Sequence, residues 1–294
     1  MALNQTQLDS KRLFIIDCDA GVDDAEAIAL ALSHSNHQHQ QQQIEILAIT
    51  CVKGNTSVDN VTGNVLRVLK RWNREDIPVF RGAEQTLMPS VGSTAAYIHG
   101  DDGLGGVADT IPVDMSKIQQ ETAPVALVRL VNANPNQVTL VTLGPLTNIA
   151  IAFQLSSEFG TNLKEIIIMG GNTTARGNMR SLVSAEFNFG SDPEAASAVL
   201  SRARCPVMIV PFDTCVNASV PFEWRMQWLS SNSLKADFLQ RISDETIQKR
   251  QANPGSQSDG FYSCDLFAMA FAIGNSYYGP LKGSIGVQPC ENVF

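Results

Sequence analysis

No two of the six cysteines stand in CxxC spacing; they fall at positions 18, 51, 205, 215, 264 and 290. That scatter disfavours a zinc site or a disulfide framework and points to reduced thiols. Basic residues are in the minority, 21 Lys and Arg against 29 Asp and Glu, which leaves a net charge of -8 and a pI near 5.0. Such a balance offers no electrostatic footprint for nucleic acid or an anionic membrane surface. No uninterrupted apolar run reaches the ~20 residues that span a bilayer. The opening MALNQTQLDSKR also lacks the apolar centre of a signal peptide. These absences lead us to expect a cytoplasmic protein without nucleic-acid or membrane partners. Histidine is scarce, and three of the four, at 34, 37 and 39, sit in or beside the polar run HSNHQHQQQQ. We read that run as a surface loop rather than a metal site.

What is present is ordinary globular material: 44% hydrophobic and 17% charged residues over 294 positions, enough to bury one substantial core. No break in composition and no internal repeat divides the chain. Apolar, β-rich stretches LFIID, IEILAIT, QVTLVTLG, EIIIMGG and PVMIVPFD alternate with helix-like segments. The latter are DDAEAIALALS, VDNVTGNVLRVLKRW, APVALVRLVNAN, PLTNIAIAFQLS and DPEAASAVLSRA. This alternation predicts an α/β fold, a single domain with a mainly parallel central sheet and helices on both faces. Sites in such sheets form beyond the carboxyl ends of the strands, where DCDAGVDD, KGN, LGPLTN, GGN and FDT fall.

The stretch DCDAGVDD gathers Asp17, Asp19, Asp23 and Asp24 within eight positions. At about 4 Å each like-charged pair costs roughly 1 kcal/mol in water, and several times more where water is thinned. A hard cation would offset that cost, and carboxylate oxygen suits Ca²⁺ or Mg²⁺ better than zinc. An EF-hand is excluded, because the twelfth position counted from Asp17 is Ile28 rather than Glu. A haloacid-dehalogenase-like phosphatase also opens on DxDx, but its Thr or Val at the fifth position is here Gly21.

The same stretch resembles the DxDxGxDD opening of the inosine-uridine-preferring nucleoside hydrolases, and five further blocks follow in that family's order. They are CVKGNTS (51–57), IHGDDGLGG (98–106), LGPLTNIA (143–150), AEFNFGSDPEAA (185–196) and CDLFAMA (264–270). The resemblance implies residues 13–294 as a nucleoside hydrolase domain with a Rossmann-like core, behind a polar segment 1–12. It implies hydrolysis of a ribonucleoside to ribose and free base, with bound Ca²⁺ and a water activated by Asp19. By the same resemblance Asp19, Asp24, Asp265 and the main-chain carbonyl of Leu143 are metal ligands. Asp23 touches the water and the ribose, while Asn55, Asn178, Glu186, Asn188 and Asp265 hold the sugar. A homodimer or homotetramer is implied on the same ground.

Three features depart from the family pattern. Cys264 stands where many members have a proton-donating His, as in a cysteine-bearing branch; it is either the acid or a small buried residue. His99, Phe261 and Tyr262 are the alternatives near the base. Asn178 is separated from Glu186 by two residues more than usual, which leaves Ser181 and Ser184 as substitutes. The chain also ends soon after SIGVQPCENVF, so we expect a domain shortened at its C-terminus. Asp192 reads as a helix N-cap before Pro193, and Asp17 as a strand end or cap. A catalytically idle nucleoside- or Ca²⁺-binding protein is the competing function.

Overall fold

The apolar stretches become parallel strands because both of their faces are covered. A computed structural model describes residues 11–35, 44–88, 94–179, 184–231, 233–252 and 260–278. The strands are β1 (Arg12–Cys18), β2 (Ile44–Cys51), β3 (Val79–Arg81), β4 (Ile118–Gln119), β5 (Val138–Thr142), β6 (Glu165–Met169) and β7 (Val207–Val210). They form one sheet in the order β4-β3-β2-β1-β5-β6-β7, every neighbouring pair parallel. The chain therefore builds outward from β1 on one side, then returns to build outward from β5 on the other. That reversal leaves a crevice between the ends of β1 and β5, the usual ligand position in open α/β sheets.

Helices α1 (Val22–Ser35) and α2 (Val58–Trp72) follow β1 and β2, and short α3 (Ala96–His99) lies between β3 and β4. α4 (Ala123–Ala133) enters β5, α5 (Thr147–Leu155) and α6 (Phe159–Asn162) precede β6, and α7 (Phe187–Ser191) and α8 (Pro193–Arg202) precede β7. Beyond β7 come α9 (Phe212–Asn217), α10 (Phe222–Leu229), α11 (Leu234–Ala252) and α12 (Cys264–Tyr278). Alternation along each strand sorts the core into two layers. Phe14, Ile16, Ile49, Val141 and Ile167 face α1, α2 and α12. Ile15, Ala48, Leu140, Ile166 and Ile168 face α4, α5 and α8 through Leu127, Ile149 and Val199. Each such side chain contributes about 1.5–3 kcal/mol on leaving water. Among the described residues no helix is long and apolar enough to cross a membrane.

All five predicted strands and all five predicted helices form. β3 and β4 were not anticipated; three and two residues long, they carry no pattern to read. The expected short C-terminus and most of the histidine-rich loop lie outside the described residues.

Local chemistry sets the ends. Ser57 caps α2 by accepting the Asn60 N–H, and Asn73 closes it in the left-handed region at φ 55°. Asp192 caps α8 as expected, accepting the Ala195 N–H at 3.1 Å, and also accepts from the Leu87 N–H at 2.9 Å and Thr147 Oγ1 at 2.6 Å. Asp17 caps nothing. Buried at the end of β1, it accepts from Thr50 Oγ1 at 2.6 Å and Asn148 Nδ2 at 2.8 Å, and burial pushes its carboxyl up to about 7. Asn148 also donates to the Cys51 carbonyl and accepts the Ala83 N–H, so it fastens the GPLTN helix to three neighbouring strand ends.

Because Asp192 joins three segments through buried bonds, Asp192→Ala should cost about 2–3 kcal/mol. The denaturant midpoint measures this; a loss below about 0.5 kcal/mol would mean that the bonds are replaced by water.

Candidate active site

The acidic turn after β1 is tight enough to need two special backbones. Ala20 adopts φ 37°, a left-handed conformation that L-residues other than Asn and Asp seldom take. Gly54 in KGN passes so close to Asp19 that a Cβ there would overlap its carboxylate, 2.0 Å from Oδ2. In the DxDxGxDD pattern Gly21 is the residue expected to let the turn close. The positive φ falls on Ala20 instead, and Gly21 is needed for room beside Asn55 and His99.

This backbone directs the carboxylates inward. Asp19 accepts the Asn55 N–H at 2.8 Å and Asn55 Nδ2 at 2.9 Å. Asp24 accepts the N–H groups of Asp19 at 3.2 Å and Gly21 at 2.8 Å, and Asn55 Nδ2 at 3.2 Å. Asn55 is thus a clasp between two aspartates. From the far end of the chain, the first turn of α12 brings in Asp265. Asp23, Asp24 and Asp265 each offer an oxygen within 4.8 Å of the others, the one such grouping among the described residues. Asp19 stands beside this triplet rather than in it, yet is close enough to respond to the charge of Asp24 and for Asp265 to respond to its own.

Burial dominates the electrostatics. It pushes the carboxyl of Asp24 up to about 7, with Asp23 next in effect. Asp19 and Asp265 are pushed well up, first by burial and then by neighbouring carboxylates. An all-oxygen set of mutually repelling, desolvated carboxyls is the donor chemistry that a hard divalent cation satisfies.

A cleft enclosing about 390 Å³, its solvent-open mouth included, adjoins this cluster. Asp19, Asp23, Asn55, Leu143, Cys264 and Asp265 line it together with Asn178, Glu186 and Asn188. Asp24 lies behind it. Asn188 Nδ2 donates to the Leu143 carbonyl at 2.8 Å, which leaves that oxygen a second lone pair. Glu186 is strongly engaged: it accepts N–H groups from Gly171 at 2.9 Å, Asn188 at 2.9 Å and Phe189 at 3.1 Å, while burial lifts its carboxyl to about 7. Asn178 Oδ1 accepts the Phe187 N–H at 2.7 Å, so despite the longer spacing this residue reaches the cavity. Of its two suggested substitutes, Ser181 lies outside the described residues and Ser184 does not line the cavity.

Cys264 is buried against Cys215, which together with burial raises its thiol well above the ordinary range. His99 lines the cavity too. Its Nδ1 accepts the Val22 N–H at 3.0 Å, so the neutral ring carries its proton on Nε2, 3.8 Å from Asp23. Phe261 and Tyr262 do not line the cavity; Tyr262 packs edge-on against Phe212. In the HGDDGLGG block Asp102 is structural, accepting N–H groups from Leu104, Gly106 and Ala108. Sequence reasoning missed the apolar wall of Ala95, Tyr97, Ile98, Met169 and Phe187. Apolar residues carry no chemical signature of their own, even where, as with Ile98 and Phe187, they lie inside a motif.

The profile of the family described as inosine-uridine preferring nucleoside hydrolase matches residues 14–292. A rice protein, "Probable uridine nucleosidase 1" (Oryza sativa subsp. japonica), is 35% identical over 277 residues, 93% of this chain and 80% of its own length. "Non-specific ribonucleoside hydrolase RihC" of Salmonella newport (strain SL254) is 39% identical over 185 residues, 63% of this chain and 56% of its own length. Against a second rice relative, "Probable uridine nucleosidase 2", the match spans 64% of this chain and 52% of that protein, about half its length. Among solved structures, "Plant nucleoside hydrolase - PpNRh1 enzyme" superposes with a TM-score of 0.80 at 30% identity, covering 90% of this chain and 79% of that one. Fold, motif order and these matches agree: the chain belongs to the inosine-uridine preferring nucleoside hydrolase family.

Proposed function

We propose that the chain hydrolyses the N-glycosidic bond of ribonucleosides, releasing ribose and free base. The observation that carries this reading is the meeting of Asp23, Asp24 and Asp265 beside a cavity whose lining also includes Asn178, Glu186 and Asn188. The relatives' names, uridine nucleosidase and non-specific ribonucleoside hydrolase, make uridine and a mixed nucleoside panel the substrates to try.

Asp19, Asp24, Asp265 and the Leu143 carbonyl would hold Ca²⁺, which when bound would supply charge that orients sugar hydroxyls and acidifies water. Asp19, both oxygens aimed by Asn55, takes the proton of the water attacking the anomeric carbon. Asp23 orients that water and the ribose. Asn55, Asn178, Glu186, Asn188 and Asp265 grip the hydroxyls, and the surrounding negative field favours the oxocarbenium-like transition state. Cys264 holds its proton securely at neutral pH and faces the cavity, where it can pass it to the departing base. His99, its Nδ1 already engaged by the Val22 N–H, presents Nε2 beside Asp23 and is the alternative group near the base. We place the enzyme in the cytoplasm as a homo-oligomer. An idle binding protein is the competing reading, and turnover separates the two.

With uridine and inosine, the wild type should release reducing sugar, and Asp19→Ala should lower kcat by about 10²–10⁴-fold with folding retained. No release above the Asp19→Ala background, with ribose still bound, overturns the hydrolase reading in favour of the idle one. Chelation of divalent ions should abolish turnover, and Ca²⁺ should restore it.

Asp24 and Glu186 have carboxyls raised to about 7 by burial. The metal-free folded state therefore holds protons that the unfolded chain releases near pH 4, and stability is fully present below that pH and lost as pH rises through 7. Metal-free protein should accordingly melt roughly 5 °C lower at pH 8 than at pH 5. Ca²⁺ should recover the loss at pH 8 and do little at pH 5. A metal-free melting point that rises with pH across this window contradicts the burial of uncompensated carboxyls.

A further inference from the structure

A buried ion pair adjoins the acidic turn and takes no part in the chemistry proposed above. Glu26 of α1 and Arg225 of α10 are each 1% exposed. Arg225 Nη2 donates to Glu26 Oε1 at 2.5 Å and to Ser243 Oγ of α11 at 2.7 Å. The guanidinium lies over Phe261, 4.5 Å from the ring centre. Phe261 is itself pinned to Val220 by two backbone bonds of 2.8 Å. Two residues on, Ser263 makes no hydrogen bond of full geometry, yet its hydroxyl is near enough to Glu26 to favour the ionised carboxyl. Phe261 and Ser263 lead directly into α12, whose first turn bears Asp265.

As a source of stability this arrangement is poor. Burying two charges costs about as much as their attraction returns, and an apolar pair fills the same space without that cost. The deficit is larger here, because Arg225 Nε and Nη1 are buried without hydrogen-bond partners. Nor is the pair needed to dock α12 on α1: Ala25 and Ile28 already pack with Ala268 and Met269 in the apolar core. What apolar packing does not fix is the register of the two first turns. The pair does, since one end sits two residues beyond Asp24 and the other rests on the segment that delivers Asp265.

We propose that Glu26 and Arg225 are positioning residues whose ion pair sets the separation between the acidic turns of α1 and α12, and so tunes divalent-cation affinity. This rests on the ion-binding part of the function proposed above.

The test is calorimetric titration of Ca²⁺ into the metal-free full-length chain, wild type and Glu26→Gln/Arg225→Met, with thermal unfolding of the same samples. The double variant should keep or raise the metal-free melting temperature while binding Ca²⁺ about tenfold more weakly. At saturating Ca²⁺ its kcat on uridine should return toward wild type. Unchanged Ca²⁺ affinity overturns the inference, as does a loss of affinity matched by an equal loss of metal-free stability. Should the double variant not fold, Phe261→Leu removes the surface under the guanidinium. A smaller affinity loss at unchanged melting temperature then supports the inference, and wild-type affinity overturns it. Wild-type protein that takes up no Ca²⁺ overturns the metal assignment and this inference together; normal uptake by wild type and variants alike overturns the inference alone.

Discussion

Carboxyl groups packed out of reach of water, with too little positive charge nearby, are the constraint on which the rest of this structure depends. Asp17, Asp19, Asp24, Glu26, Glu186 and Asp265 are all buried at or beside one end of the sheet, and the only one whose side chain is shown in a buried ion pair with an arginine is Glu26. For Asp17, Asp19, Asp24 and Glu186 the fold supplies dipoles in place of charges. Backbone N–H groups of Asp19, Gly21, Asn55, Gly171, Asn188 and Phe189 all point at carboxylate oxygens. Such bonds orient the acids but do not remove their mutual repulsion, so part of the folding energy is stored as an electrostatic deficit. On the proposed reading a divalent cation discharges it.

This constraint accounts for the backbone around the site. A left-handed Ala20 is a costly choice, tolerated because it lets the Asp19 N–H reach Asp24. The absence of a side chain at Gly54 lets the KGN loop lie against Asp19, where its neighbour Asn55 can clasp two acids at once. The parallel sheet supplies the rigid frame: Asp17 and Asn148 lock adjacent strand ends, so the loops carrying these groups leave from fixed points. Preorganised dipoles of this kind act without reorganising during a reaction.

The sequence disclosed most of this wherever the signal was local. Continuous apolar runs gave five strands, and helical spacing gave five helices, because both patterns follow from burial on known faces. The motif residues Asp19, Asp23, Asn55, Asn178, Glu186, Asn188, Cys264 and Asp265 all line one cavity. Asp24 does not, since its bonds to the turn backbone hold it behind the wall. Features that arise from contact between distant segments were illegible. Glu26 looks like one more polar residue just past the first turn of α1, and Arg225 like a surface charge on an undistinguished helix; nothing in either neighbourhood announces the other, 199 positions away. Likewise the role of Asn55 as a clasp, rather than a simple neighbour of the sugar ring, needs Asp19 and Asp24 in place to be seen.

Cys264 shows how the same constraint bears on chemistry. A cationic group at this position would be drawn to the acids around it and would relieve part of their repulsion. A thiol cannot: burial against Cys215, among carboxylates, keeps it neutral and protonated. Cys264 therefore offsets none of the negative charge the surrounding acids carry where the sugar is proposed to develop positive charge. The cost is a weaker acid for the departing base, since a donor whose proton is held more tightly gives it up less readily. Substrates whose base departs with little need of a proton suit such a site better than those that require one. The neighbouring His99 does not remove this cost: with Nδ1 accepting the Val22 N–H its ring is neutral, and a neutral imidazole N–H gives up its proton less readily than a thiol.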